Sequence, residues 1–408
     1  MIAGGPHMMD AAMAGLAPPA DSAPADAATH LVEGKRQPLV SVQILRAVAA
    51  CFVLFGHSLS NAIAFSAASG PVPRAWRFPG GFGVDLFFLI SGFIILTSSR
   101  DLFAKPGAAA KFFSRRLIRI APLYYAATLL YLPIFLLGAH VHAPHKLAAI
   151  LASFAFIPYP TYGFDGDNVF PILTLGWTLN YEMFFYVLLS LTLFLKEGYA
   201  VIALLLGLVL AVCLNPLVPA PNAARFWLEP IILEFGLGVV VAYLTHHYGG
   251  QLQSRFKHIA GALLIGAALA VVAIDPFRLT HVATSNANDF ARFWGWGLPA
   301  MAMLVGALAF ENGTASAFSR LAKHVGDFSF SLYIIHPFCL IIVERTWMTA
   351  HLSARLSYGW MMTASCLLSL CAAHLSFTYF EAPVTRYLRN LSGLKKPVVP
   401  PRPERNIG

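Results

Sequence analysis

Long apolar runs separated by short polar segments extend along the chain, and this pattern predicts membrane-spanning helices. A spanning helix needs about 20 predominantly apolar residues, with a lower limit near 17. Residues 147–158 fall short of that limit and are predicted to form a short interfacial or re-entrant segment. The runs that reach it cover residues 39–59, 81–98, 119–138, 177–195, 199–217, 228–245, 258–274, 293–310, 325–345 and 356–380.

The predicted fold is all-α, a polytopic membrane helical bundle of about ten transmembrane helices plus that short segment. Residues 39–390 form the predicted transmembrane domain. Residues 1–38 are rich in Ala, Pro and Asp and lack a basic start followed by an apolar stretch. We therefore expect a disordered cytoplasmic N-terminal tail and no cleaved signal peptide. Residues 391–408, rich in Pro and Arg, are expected to form a cytoplasmic C-terminal tail.

Composition supports the membrane assignment and excludes other classes of protein. Hydrophobic residues make up 58% of the 408 residues and charged residues 12%, whereas about 25% of a soluble chain is charged. The net charge is +9, but Lys and Arg lie between the apolar runs, so we expect a lipid bilayer and no nucleic acid as partner. In a ten-span topology, most basic residues lie on the same side of the membrane as both chain termini. This predicts a multi-pass protein of the cell inner membrane with cytoplasmic termini.

Ionisable side chains inside the apolar runs are the strongest functional signal, because each of them is costly in a bilayer. Arg46 and His57 are eleven residues apart in the first span, so they share one helix face and lie about 16 Å apart along its axis. They predict a polar track through the membrane, the alternative being two snorkelling or internally paired residues. Asp85 lies in the second span at a membrane depth similar to that of His57. It is predicted to orient the His57 ring, the alternative being that it caps the helix at the membrane interface.

Two further polar groups follow along the chain. Arg115 and Arg119 share a helix face, and with Arg116 they predict contacts to the phosphates of a cytosolic ligand, or else plain anchoring at the inner surface. Glu182 lies one turn beyond Trp177, a predicted interface anchor. We expect Glu182 to pair with an Arg or His of another span or to belong to a core ion pair.

The remaining candidates are weaker. Other ionisable residues in the apolar runs, each expected to be structural, are Glu234, His336 and His374. The loop histidines His140, His142 and His145 lack a carboxylate partner, and the segment that begins at Asp165 lacks the glycine and glutamate of a calcium loop. The five cysteines form no CxxC pair. We therefore predict neither a metal site nor a disulfide framework.

Six sequence blocks in order resemble the acyltransferase 3 family of integral membrane acyltransferases, and most of all its polysaccharide (exopolysaccharide or O-antigen) O-acetyltransferases. The resemblance extends from about residue 39 to residue 390. The blocks are Arg46–His57, Gly83–Phe93, Arg115–Pro122, Trp177–Glu182, Gly326–Pro337 and Tyr379–Pro383. Asn180 and Tyr181 depart from the smaller Ser-Val that often precedes the family's glutamate.

The resemblance implies an O-acyltransferase that moves an acyl group from cytosolic acyl-CoA to a hydroxyl of a cell-surface or secreted polysaccharide or its lipid-linked precursor. Acetyl-CoA is the expected co-substrate, with succinyl as the alternative acyl group, and no metal is implied. His57 matches the family's essential histidine and Arg46 its companion, while Arg115, Arg116 and Arg119 match the donor-binding motif. The expected supporting residues are Ser91, Trp177, His336 and Glu381. Polysaccharide assembly machinery is a candidate partner.

These residues define a mechanistic hypothesis and its rivals. His57, oriented by Asp85 or Glu182, would act as the general base on an acceptor hydroxyl. Arg46 would position the donor or neutralise charge along the channel. The alternative is a transporter of a glycan or lipid-linked intermediate, which would not depend on CoA. An ion or proton channel is less consistent with the sequence, because no single-sign ring of charges is present.

Overall fold

Helices make up most of the described chain, as the apolar pattern predicts. The computed structural model describes residues 39–66, 78–137, 145–163, 166–219, 222–249, 256–281, 288–311, 317–352 and 357–393. The N-terminal tail, residues 394–408, the loop that holds His140 and His142, and Asp165 lie outside these ranges. The expectations for them stay predictions.

The described residues form fifteen α-helices and one β-hairpin. The helices are α1 (Val40–Ser66), α2 (Phe82–Ser99), α3 (Ala108–Leu136), α4 (Lys146–Phe154), α5 (Trp177–Thr192), α6 (Glu197–Leu214), α7 (Ala223–Trp227), α8 (Leu233–Tyr248), α9 (Lys257–Ile274), α10 (Phe290–Arg292), α11 (Leu298–Leu308), α12 (Ala317–Asp327), α13 (Ser329–Thr349), α14 (Tyr358–Ser376) and α15 (Ala382–Leu391). π-Helical segments at Phe293–Gly297 and Phe377–Glu381 join α10 to α11 and α14 to α15. The antiparallel hairpin of β1 (Pro160–Gly163) and β2 (Gly166–Val169) is too small to alter the all-α class.

In the described ranges, seven helices are long and apolar enough to cross a membrane, and one bent helix pair raises this number to eight. They confirm the membrane helical bundle, whereas the count of about ten spans stays a prediction. Two predicted spans are not single long helices: α5 has 16 residues, and residues 290–308 are divided between α10, a π-helical segment and α11. The nine residues of α4 are too few to span a bilayer.

The helix pair α12 and α13 bends by 71° where the apolar pattern predicts one continuous span. Gly326 of α12 packs against the backbone of α1, since a Cβ there would lie 2.1 Å from the carbonyl oxygen of Gln43. Ser329 Oγ, at the start of α13, donates to the carbonyl oxygen of Gly326 at 2.8 Å. The chain therefore changes direction where it passes α1, and α13 continues beside α1 and α14.

Helices α2 and α8 are in unusually close contact through two glycines. A Cβ at Gly92 would lie 2.1 Å from the carbonyl oxygen of Phe235, and a Cβ at Gly238 would lie 2.0 Å from that of Leu89. Small residues allow membrane helices to approach closely, and van der Waals packing then drives their association. This contact holds α2, which contributes Asp85 and several cavity residues, against the centre of the bundle.

Gly238→Val is expected to destabilise the bundle by about 1–3 kcal/mol, because the new side chain must displace the backbone of α2. The matched control is Gly207→Val on α6, where no atom lies within 4 Å of an added Cβ. The measurement is the thermal unfolding midpoint of both variants in the same detergent. Equal midpoints for the two variants would contradict the close contact of α2 and α8.

A carboxylate from a distant segment caps the start of α1. Glu311 follows α11, and its two carboxylate oxygens accept from the backbone N–H groups of Val40 at 2.7 Å and Ser41 at 2.9 Å. The Ser41 hydroxyl donates to the same carboxylate. Because the first N–H groups of a helix have no partner within the helix, this cap satisfies two of them and fixes the end of the helix that holds Arg46 and His57.

Candidate active site

Two histidines from distant helices form a hydrogen-bonded pair. His57 Nδ1 of α1 lies 2.8 Å from His336 Nε2 of α13, and the two rings stack with their centroids 5.1 Å apart. His336 is fully buried, and its Nδ1 lies 3.0 Å from the carbonyl oxygen of Leu332, one helical turn earlier. His57 is partly exposed. The side chain that contacts His57 is therefore an imidazole, where the sequence predicts a carboxylate.

Asp85, predicted to orient His57, instead forms an ion pair with Arg292. The two groups make a bidentate contact, Nε to Oδ1 at 2.9 Å and Nη2 to Oδ2 at 2.8 Å, and both side chains are fully buried. The Arg292 guanidinium also lies over the rings of Trp177 at 5.8 Å and Trp296 at 5.3 Å. Asn288 Oδ1 accepts from Arg292 Nη1 at 3.2 Å.

The environment of Arg292 changes the expectation for Trp177. Trp177, predicted to be an interface anchor, is only 6% exposed, and its ring packs against Phe88 and Tyr181 as well as the guanidinium. Glu234 is fully buried beside Asp85 and Arg292. Arg292 is not among the candidate residues that the sequence indicated. The signal that could have identified it is its position among Phe290, Phe293 and two tryptophans at the start of an apolar run.

A cavity that is partly open to the outside lies between α1, α2, α3, α5 and α13. Its lining combines apolar side chains of α2 with polar groups from all five helices. The polar lining residues are Arg46, Ser91, Arg116, Arg119, Thr178, Glu182, Tyr186, Ser329 and Tyr333. Two of these residues, Arg116 and Arg119, are three positions apart on α3, so they share a helix face. Arg115 is not among the described lining residues, although the sequence groups it with Arg119.

Glu182 occupies the polar centre of this cavity. Its carboxylate accepts a hydrogen bond from the Tyr186 hydroxyl and a longer one, 3.4 Å, from Ser91 Oγ. Arg116 donates to the Ser98 hydroxyl, and Arg46 Nη1 donates to Gln43 Oε1 at 3.1 Å. The described lining thus contains three guanidinium groups and one carboxylate, so positive charge predominates in the cavity.

The ring of Tyr333 separates the cavity from the histidine pair. Tyr333 lines the cavity, and its ring makes edge contacts with His336 at 6.2 Å and Phe87 at 5.9 Å between centroids. Its hydroxyl donates to the carbonyl oxygen of Leu175 at 3.1 Å and lies 3.0 Å from Thr178 Oγ1. The described cavity lining thus reaches Tyr333, whose ring contacts His336, and includes neither histidine.

The two remaining predicted residues lie away from the histidine pair. Glu381, in the π-helical segment after α14, is largely buried and accepts from Ser331 Oγ at 2.6 Å, which joins that segment to α13. His374 is exposed on α14, with its ring 5.1 Å from that of His324. Both contacts are consistent with structural roles.

Comparisons with known proteins agree on one family. A family model described as "Acyltransferase domain" matches residues 39–375. The chain is 29% identical over 312 residues to "Exopolysaccharide production protein ExoZ" of Rhizobium meliloti (strain 1021), a match that covers 75% of this chain and 90% of that protein. It is 27% identical over 362 residues to "Acyltransferase MdmB" of Streptomyces mycarofaciens, covering 78% and 83% of the two chains.

A third relative is "Nodulation protein 10" of Rhizobium leguminosarum bv. viciae, 24% identical over 381 residues, which cover 85% of this chain and 94% of that protein. No solved structure matches the chain. The family model covers most of the described membrane bundle, including the cavity and the histidine pair. The chain therefore belongs to the acyltransferase 3 family and is a multi-pass membrane acyltransferase.

Proposed function

We propose that this acyltransferase transfers an acyl group, acetyl in the first instance, from cytosolic acyl-CoA to a hydroxyl of a cell-surface or secreted polysaccharide or its lipid-linked precursor. The observation that carries the proposal is the arginine-lined cavity that adjoins the histidine pair across Tyr333. The name of one relative, an exopolysaccharide production protein, supports a glycan as the acceptor.

The cavity suits the donor in charge and in polarity. Arg46, Arg116 and Arg119 present planar guanidinium groups, which bind phosphate oxygens in a bidentate manner. Bound phosphates would offset a net positive charge that is otherwise costly within a membrane bundle. The apolar side chains of α2 that line the same cavity would contact the pantetheine arm. Arg115, on the same helix but outside the described lining, would add positive charge near the cavity mouth.

Each reacting group has a role in the proposed transfer. His57 removes the proton from the acceptor hydroxyl, and the hydroxyl oxygen attacks the thioester carbonyl carbon. A C–O bond forms and the C–S bond breaks, so that the CoA thiolate leaves and takes up the proton. Glu182 would accept a hydrogen bond from an amide N–H of the pantetheine, with Tyr186 and Ser91 holding its carboxylate in place. Asp85 supports the site through its ion pair with Arg292.

This arrangement implies an orientation in the membrane. The arginine end of the cavity would face the cytosol, where acyl-CoA is made, and both termini would then lie on the cytoplasmic side of the cell inner membrane. The histidine pair, about 16 Å further along α1, would lie nearer the opposite face, where the acceptor glycan and its assembly machinery would approach.

Arg116→Gln and Arg119→Gln are each expected to raise the KM for acetyl-CoA about 10- to 100-fold with little change in kcat. The reason is that each removes a charge-assisted hydrogen bond of about 1.5–3 kcal/mol to a group that does not react. The control is Arg345→Gln, an exposed arginine of α13. The measurement is acetyl transfer by purified protein in nanodiscs. An unchanged KM in both cavity variants would contradict the assigned donor site.

The proposed reaction itself is tested on the glycans of cells with and without the gene, analysed by mass spectrometry. The expected result is that an ester mass disappears with the gene and returns with the wild-type copy. If glycan export falls while the ester content per repeat is unchanged, the transporter alternative is correct. Acetyl-CoA should also stabilise the purified protein, by about 2.7 kcal/mol at 100 times its Kd, whereas a transporter should show no such shift.

A further inference from the structure

We propose that His336 is a positioning residue that fixes His57 in the tautomer with a proton on Nδ1 and a lone pair on Nε2. The inference rests on the proposed function, in which His57 is the general base. It follows from two hydrogen bonds in series, from His57 Nδ1 to His336 Nε2 at 2.8 Å and from His336 Nδ1 to the Leu332 carbonyl oxygen at 3.0 Å.

The direction of both hydrogen bonds is set by the carbonyl group at the end of the series. A carbonyl oxygen can only accept, so His336 Nδ1 must carry a proton and donate it to Leu332. The neutral His336 ring then has a lone pair on Nε2, which can only accept. His57 Nδ1 must therefore be the donor, and the neutral His57 ring keeps its lone pair on Nε2.

This tautomer is the one that a general base requires. The two nitrogens of an imidazole point in different directions, so Nε2 of His57 is directed away from His336 and is available to an acceptor hydroxyl. His57 is partly exposed, whereas His336 is fully buried. The buried ring thus orients the exposed ring, which is the role that a carboxylate has in many hydrolases.

The carboxylates that could have served instead are engaged elsewhere. Asp85 is in the buried ion pair with Arg292, and Glu182 is hydrogen-bonded by Tyr186 and Ser91. A neutral imidazole also orients His57 without adding a charge to the membrane bundle, where a second charge is costly. The tautomer therefore depends on His336 and on the backbone of α13.

His336→Gln and His336→Asn form a matched pair of variants that tests the role. The amide oxygen of Gln can reach the position of imidazole Nε2 and accept from His57 Nδ1, whereas the amide of Asn is one methylene too short. We expect the Gln variant to keep kcat within about tenfold of wild type, and the Asn variant to lose about 10²-fold or more, the range of general-base assistance. The KM for acetyl-CoA should stay unchanged in both, because His336 does not line the described donor cavity.

The possible outcomes distinguish a positioning role of His336 from a packing role, and they distinguish both from a failure of the proposed function. If the two variants are equally active or equally inactive while both still bind acetyl-CoA, His336 does not position His57. If His57→Ala retains full activity, the general-base assignment fails, whatever His336 does.

A measurement on the wild-type protein avoids any folding defect. The method is ¹⁵N NMR with ring-labelled histidine, and the His57 signals are identified by their loss in His57→Gln. We expect a protonated Nδ1 and an unprotonated Nε2, and a proton on Nε2 of neutral His57 would overturn the proposal.

Discussion

His57→Ala is expected to lower kcat for acyl transfer by about 10²–10⁴-fold, the largest effect on activity that we predict for any single side chain. The substitution removes the nitrogen proposed to take the proton from the acceptor hydroxyl. It leaves the arginines of the donor cavity unchanged, so acetyl-CoA should bind as it does to the wild-type protein. The measurements are the initial rate of transfer and the thermal shift produced by acetyl-CoA, both in nanodiscs.

The control for this variant is His374→Ala on α14. His374 is also an ionisable residue of an apolar run, but it is exposed and contacts the rings of His324 and Phe328 rather than the histidine pair. We expect this variant to retain wild-type activity. Similar losses of activity in both variants would show that replacing any intramembrane histidine perturbs the bundle, and the specific role of His57 would then be unsupported.

Arg292→Leu is expected to have the largest effect on stability, lowering the free energy of unfolding by about 3–5 kcal/mol. The substitution leaves the Asp85 carboxylate buried without its cation and beside a second acidic residue, Glu234. It also removes the guanidinium that contacts the rings of Trp177 and Trp296. The measurement is the thermal unfolding midpoint in detergent, with acetyl-CoA absent so that binding does not contribute.

Two comparisons test this interpretation of Arg292. The double variant Asp85→Leu with Arg292→Leu should be more stable than Arg292→Leu alone, because no unpaired charge remains in the core. Arg100→Leu should cost less than about 1 kcal/mol, since the Arg100 and Glu197 side chains of that pair are 30% and 19% exposed. If Arg292→Leu is as stable as the wild type but inactive, then Asp85 contributes to the chemistry, as the sequence first indicated.

The sequence by itself determined the class of fold and the family. Spanning helices depend on the local density of apolar residues and on the need to satisfy every backbone hydrogen bond within the membrane. Hydropathy alone therefore located the seven described helices that are long and apolar enough to cross a membrane. The shared face of Arg46 and His57 follows from helical geometry, which depends only on their spacing along one helix. The Arg116 and Arg119 block was likewise visible as a local cluster that now lines the cavity.

Contacts between helices were decided only by the tertiary structure. His57 and His336 are 279 residues apart, and Asp85 and Arg292 are 207 residues apart. Hydropathy cannot show which of several buried carboxylates, imidazoles and guanidinium groups will meet, because each pairing depends on how the helices pack. The sequence therefore indicated that His57 needs an orienting partner, with Asp85 or Glu182 as candidates, and it indicated no counter-charge for Asp85. The packing of α13 against α1, and of α10 near α2, determined that the actual partners are His336 and Arg292.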